Sequence, residues 1–401
     1  MARKRAVHRV IFPVFLILPL LFVLSACGGT GSTGGTGTPV ASNPTVQPTT
    51  APPGNNASST PNVGTTKPHV ALTAIRMLDN NNGWALSNSS ILRTSDGGVH
   101  WKDVTPANAG LNQSAKGQFM NSQAAWIATG PANQQEGAGI SVLRTADGGA
   151  TWQRSKINDP LVSIVDVPHF LNMRQGWLEI SSTPGAGSAG SDIWYSNDGG
   201  QSWAKLSSNK SNSGLSLGYV TGISFKDTNI GIAAGNTGAG GDNSVPSIGL
   251  TQNGGKTWQT KTLPHLLGGY VNPSNNSQPP VFFGNVVFLP VNVTVENGSL
   301  LVLYRSNDSG ISWVQTSVAH IQATNTYVLD TTHAWATDTQ SGKLYRTSDG
   351  GNHWAATSDT AYKLNALSFP NAQTGWGVAG DQLLHTTDGG TNWQPINYSI
   401  Q

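Results

Sequence analysis

TSDGGVHW, residues 94–101, is the stretch on which the reading of this chain turns. Its pattern, Ser/Thr-x-Asp-x-Gly-x-x-Trp, returns as TADGGATW (145–152), SNDGGQSW (196–203) and TQNGGKTW (251–258). It returns again as SNDSGISW (306–313), TSDGGNHW (347–354) and TTDGGTNW (386–393). The copies start 51, 51, 55, 55, 41 and 39 residues apart. Each reads as a β-hairpin turn. Asp tolerates turn geometry and hydrogen-bonds its own backbone. Gly supplies the positive φ of the bend. The Trp opens the next strand and covers the turn with an apolar face. On this reading Asp96, Asp147, Asp198, Asn253, Asp308, Asp349 and Asp388 are turn staples, not acids or ligands. Asn253 keeps the oxygen acceptor, and Ser309 stands at the first Gly of the fifth copy.

A second repeat precedes each turn. It is seen at Gly83-Trp84-Ala85, Ala125-Trp126-Ile127, Gly176-Trp177-Leu178, Ala334-Trp335-Ala336 and Gly375-Trp376-Gly377. Gly231-Ile232-Ala233 takes that slot in the fourth unit, and residues 300–303 are assigned to it in the fifth. A further strand lies ahead, for instance at 72–77, 163–167, 221–225 and 366–369. Each unit is then four strands, A to D, with the Asp turn between C and D. Seven such units predict an all-β, seven-bladed β-propeller over residues 69–401. The last D strand is expected over 393–400, with no strand visibly borrowed to close the ring. Trp194 alone among the 13 Trp has no slot.

The turn resembles the Asp box, or BNR repeat, of sialidases and many non-sialidase propellers. With its GWA strand and its (Leu/Ile)-x-(Arg/Tyr/His)-(Thr/Ser)-x-Asp-Gly-Gly run, the whole unit is similar to the photosystem II stability/assembly factor family. That resemblance implies the propeller fold but does not carry photosystem assembly with it, because many non-photosynthetic bacterial proteins share the repeat. The family associates an arginine-lined surface with partner binding. The resemblance therefore makes Arg93, Arg144, Arg305 and Arg346, which precede four of the boxes, a candidate contact set.

Composition narrows the function classes. Of 401 residues, 48 are Gly and only 10% are charged, with a formal net charge of +2. That is no footprint for nucleic acid. One Cys excludes a disulfide scaffold and a thiolate zinc site. Glu occurs only at 136, 179 and 296, too few for long salt-bridged helices. Arg3, Lys4, Arg5 and Arg9 precede an apolar run over 10–24 and then Leu24-Ser25-Ala26-Cys27. This has the layout of a secretory leader, and its end resembles the bacterial lipobox. The resemblance implies cleavage after residue 26 and lipid on Cys27. Loss of the four leader cations would leave 18 basic against 20 acidic side chains, near −2. Residues 27–68 are low-complexity Gly, Thr, Ser and Pro, expected to form a disordered linker. The expected location is extracytoplasmic, anchored to the cell membrane through Cys27.

Catalytic patterns are scarce. A sialidase needs three converging Arg. Beyond the four box arginines only Arg76, Arg154 and Arg174 remain after the leader. No Ser-His-Asp context, no metal-ligand His spacing and no cofactor motif is present. Inner strands would carry few charges, Arg76 and Asp166 among them. Blades two to five hold extra length at 130–140, 182–191, 207–218, 235–247 and 265–280. In a four-stranded meander the B–C and D–A connections share one face, so these insertions would all decorate it. Rigid scaffolds commonly bind through such loops. Glu136, Asp242, Tyr270, Asn272 and Asn275 are the candidate binding residues there. The expected function is a non-catalytic protein-interaction or assembly scaffold with an envelope or membrane protein as partner. The alternative is a carbohydrate-binding or glycoside-hydrolysing propeller, with Tyr270 and Trp194 as stacking platforms and Asp166 as the acid to test.

Overall fold

The computed structural model describes residues 70–401, except 134–136, 138, 160–163, 184, 186–187, 237–244 and 267–273. Seven antiparallel four-stranded meanders follow one another along the chain. Blade 1 shows the plan: strand A is Leu72–Met77, B is Gly83–Ser87, C is Ile91–Thr94 and D is His100–Asp103. The B strands are the core. Those of blades 1, 2, 3 and 6 are buried at every position, because a sheet packed on both faces needs apolar or small side chains throughout.

The seven Asp turns are one structure repeated. In each, the opening Thr or Ser hydroxyl accepts the N–H of the second Gly at 2.7–3.0 Å. The same hydroxyl donates to the Asp or Asn Oδ1 at 2.8–3.1 Å. That Oδ1 also accepts the N–H four residues on at 2.8–3.0 Å. The first Gly sits at φ near +75°, a region closed to most side chains, and Ser309 occupies it at +62°.

Blade-to-blade seams use the second repeat. Trp126, Trp177, Trp335 and Trp376 each donate the indole N–H to the first box Gly of the following blade, at 2.8–2.9 Å. The last of these runs from blade 7 back to Gly97 of blade 1. Trp84 donates to Asn121 instead, and Arg93 reaches the Gly148 carbonyl in its place (3.1 Å). Blade 4 has Ile232 at this position, and there the next box carries Ser309. Lys226 fills in, donating to Ser309 Oγ and Asn285 Oδ1.

Three expectations need correction. In blade 5, residues 300–303 belong to strand C (Gly298–Ser306), not B. Strand B is Val286–Val295, with Phe288 buried where other blades have Trp. Two apolar strands joined by a tight turn at Glu296-Asn297 leave no GWA landmark between them. Part of the supposed 265–280 loop is strand A of that blade, Ser274–Ser277. The last D strand is only Gln394–Ile396, and the chain then crosses to blade 1. Ser399–Ile400 pairs in parallel with His100 and Trp101, giving blade 1 a fifth strand. Tyr398 locks this crossing: its ring is buried, and its hydroxyl donates to the Val70 carbonyl (2.9 Å).

Candidate functional site

The inner strands are tied to one another by side chains reaching across to the next blade's backbone. The Phe170 N–H donates to Gln118 Oε1 (2.6 Å), and Gln118 Nε2 donates back to its carbonyl (3.0 Å). His169 Nε2 accepts the Phe225 N–H (3.0 Å), and burial lowers its pKa, in keeping with a neutral ring. The Thr326 N–H donates to Gln278 Oε1 (2.9 Å). Tyr327 donates to the Phe369 carbonyl (2.9 Å) and receives Arg76. The Met77 N–H donates to Ser368 Oγ (2.7 Å). Arg76 is thereby engaged within the frame.

Toward the B–C and D–A end, the inner strands of blades 2 to 5 part around a pocket of about 340 Å³. That is within the range of small-molecule and side-chain sites. Lys116, Asp166, Tyr219 and Asn276 line it, one from each of the four blades, with Glu179 from strand B of blade 3. Asp166 is placed there by an interrupted strand A: Ile164–Val165 and His169–Phe170 pair separately with strand B, and Pro168 lies between them. The Asp166 N–H donates to the Glu179 carbonyl (3.1 Å), which sets the two residues side by side.

The electrostatics of this pair depart from those of every box Asp. Burial raises the Asp166 pKa to about 6, against the Val167 N–H (2.7 Å) and the field of Lys116. Glu179 is 3% exposed. Burial pushes its pKa well above the usual range, and the negative charges of Asp166 and Asp192 push the same way. Its Oε1 has no hydrogen-bond partner in the protein, nor do the pocket-lining Thr221 Oγ1 and Ser277 Oγ. Asp192 is held by Lys205 at 2.6 Å, which also reaches Asp159. Among the described residues no group of three His, Cys, Asp or Glu could hold a metal ion.

The residues singled out from sequence fare unevenly. Glu136, Asp242, Tyr270 and Asn272, like Cys27 and residues 1–69, lie outside the described residues. Asn275 is 5% exposed within strand A of blade 5, not on an open loop. Trp194 lies in strand C of blade 3, half-buried, with the Lys205 ammonium 5.4 Å from its ring centre, so it is no open stacking platform. The four arginines line the seams. Arg93, Arg305 and Arg346 lie over the rings of Trp84, Phe288 and Trp335 at 4.9, 5.8 and 5.3 Å. Arg144 donates to Gln153 Oε1 (3.2 Å). The insertions themselves interlock: the Ala189 N–H donates to the Gly218 carbonyl (2.8 Å), and Asn209 Nδ2 donates to Ala189 and Leu217. Glu179 was the residue that sequence did not single out. The signal available was a lone Glu inside an otherwise apolar B strand, GWLEIS.

A family model of the BNR/Asp-box repeat matches residues 194–205, at the third box. Seven such turns on seven four-stranded blades make the fold a propeller of the Asp-box type. Among solved structures this propeller is similar to one described as YCF48 bound to D1 peptide, at 16% identity and TM-score 0.53. That match covers 81% of this chain and 95% of the other. It is also similar to the GH74 xyloglucanase of Xanthomonas campestris, at 15% identity and TM-score 0.50. There it covers 84% of this chain and spans 54% of the enzyme. At these identities the likeness is one of fold. No curated protein sequence matches the chain.

Proposed function

We propose that this propeller is a non-catalytic binding protein, held outside the cytoplasm by a lipid on Cys27, that captures an envelope or membrane protein on its loop-bearing face. The observation that carries this is convergence. The blades with long connections, two to five, are the blades whose inner strands open into the Lys116–Asp166–Glu179 pocket. Rigid frame, interlocked loops and a polar recess on one face are the parts of a recognition surface. The YCF48 structure, bound to D1 peptide, supports a peptide or protein as the occupant of such a fold. The Asp turns offer no competing site, since their carboxylates are engaged in their own loops.

The test is cross-linking and co-purification of the full-length protein from its native membrane. Shortening the 130–140, 182–191 and 235–247 connections should abolish capture of a stoichiometric protein while the melting temperature holds. Unchanged capture removes the loop face from consideration. Cys27→Ser should release the protein from the membrane fraction. A second reading, glycan binding or cleavage, draws on the two adjacent carboxyl groups in the pocket and on the xyloglucanase likeness. Turnover of xyloglucan or a sialoside that disappears in Asp166→Asn would establish it.

A further inference from the structure

We propose that the pocket between the inner strands of blades 2 to 5 binds a primary ammonium group, a lysine side chain or a free α-amine, presented by the captured segment. This rests on the reading of the loop-bearing face as the capture surface. The argument begins with Glu179. A carboxyl group almost wholly removed from water is normally paired or fully hydrogen-bonded. Glu179 Oε1 makes no hydrogen bond of ordinary geometry, although the Ser191 hydroxyl lies near enough to pull its pKa down, and Glu179 belongs to the wall of an open pocket. Two more acceptors on that wall, Thr221 Oγ1 and Ser277 Oγ, are in the same condition. The Asp166 carboxylate, held by the backbone N–H groups of Val167 and Ile223, and the Asn276 amide complete the polar lining.

Such a wall selects for a donor. An ammonium carries three N–H donors and no acceptor, and the wall offers it the carboxyl oxygens of Asp166 and Glu179 and two hydroxyls able to accept. A carboxylate or phosphate would meet the Asp166 carboxylate with like charge and could not draw the proton off Glu179. Among the described residues, the charged and titratable groups near Glu179 are these. Asp166 precedes Pro168 on the adjoining strand, and Asp192, on strand C, is already bound by Lys205 with Asp159. Lys116 comes from blade 2 and Tyr219 from blade 4. Lys116 is exposed at the rim, and among the described residues no ion pair joins it to either carboxyl group. The pocket's resident cation is therefore outside, and the buried acid has none.

Binding has a defined proton balance. The entering R–NH3+ keeps its three protons. Glu179 gives up its carboxyl proton to solvent and becomes the counter-ion. One proton is released per amine bound, and affinity rises by about tenfold per pH unit while Glu179 starts protonated.

The test titrates the full-length chain with Nα-acetyl-lysine methylamide by calorimetry in buffers of different ionisation enthalpy. Its Nε-acetylated analogue, a xyloglucan oligosaccharide and calcium chloride serve as the other probes. We expect saturable amine binding with release of close to one proton and at least tenfold weaker binding of the acetylated analogue. Glu179→Gln should abolish the proton release and weaken the amine at least tenfold. Asp166→Asn, at a more open position, should weaken it comparably, and Lys116→Ala should leave it unchanged or tighter. Equal binding of the two lysine derivatives, amine binding without proton release, or occupancy by the oligosaccharide or by calcium in place of the amine would each overturn the proposal. Capture of the native partner separates this from the reading beneath it. If loop shortening abolishes capture while Glu179→Gln and Asp166→Asn leave it intact, the ammonium site fails and the loop face stands. If loop shortening changes nothing, the loop face fails, and the amine titration still decides the pocket.

Discussion

Asp198 and Glu179 belong to the same blade, one on the turn after strand C and the other within strand B, and their acidities move in opposite directions. Asp198 accepts the N–H groups of Gln201 and Ser202 and the hydroxyls of Ser196 and Ser202. Those bonds hold its pKa at about 2 despite partial burial. Glu179 meets burial and two neighbouring carboxylates instead, and its pKa rises. Neighbours within four residues satisfy the first carboxylate, so the same eight-residue phrase can be copied around the ring. The second sits beside Asp166 and Asp192 of its own blade, in a pocket that blades 2, 4 and 5 help to line, and no local phrase specifies that setting. A depressed carboxylate here marks frame, and a raised one marks a place the frame leaves unfinished.

The largest expected effect sharpens the frame side of that contrast. Trp335 is fully buried, stacks on Phe369 with ring centres 3.8 Å apart and donates to Gly389 of the next blade. Trp335→Ala should cost about 3–5 kcal/mol in urea unfolding. A cost near that of an exposed site would mean that the seams do not depend on this contact. Truncation after Ile396 removes Tyr398 and the strand Ser399–Ile400, both buried against blade 1. We expect a loss of roughly 3 kcal/mol from the two side chains alone, read as a lower melting temperature.

Two smaller effects test the carboxylates directly, through pH. Asp198→Ala should destabilise by about 2 kcal/mol at pH 7, in the range of a lost capping side chain with charge-assisted bonds. A depressed pKa gives stability that is present above the ordinary carboxylate value and lost as pH falls toward about 2. The mutant and wild type should therefore converge in acid. Glu179→Gln should do the reverse. A raised pKa means that the folded state holds a proton the unfolded chain has given up, so wild-type stability declines as pH climbs past the ordinary Glu value. The amide variant should match wild type near pH 4 and become the more stable of the two as pH rises toward 8. If both substitutions shifted stability in the same sense across this range, the contrast between the two carboxylates would be broken.

The contrast also explains what could be read from sequence. The boxes were legible because each hydrogen bond within them closes inside five residues. The GWA strands were legible because a Trp set between small or apolar residues recurs ahead of five of the seven boxes. Blade 5 lost that landmark when Phe288 replaced Trp, and two adjoining apolar strands then read as one. The turn signals Gly284-Asn285 and Asn297-Gly298 were the available correction. Ring closure was invisible because two residues, Ser399 and Ile400, pair with a strand some 300 positions earlier. The four arginines looked like a shared edge in sequence, yet their positions follow from the seams they fill. Asp166 stood out as a rare inner-strand charge. Glu179 did not, because the pocket it lines is assembled from four blades and no sequence pattern marks that meeting.

The closing strand has a consequence in time. Trp101 is synthesised three hundred residues ahead of Ile400, and until Ile400 arrives the outer edge of blade 1 is a bare row of backbone donors and acceptors. Contacts of such long sequence separation form slowly. Before Ile400 is made the circle cannot close, and one sticky edge faces the surroundings. A folding helper that shields one strand edge for that interval would raise the yield of the finished molecule, and a fusion placed directly after Gln401 would lower it.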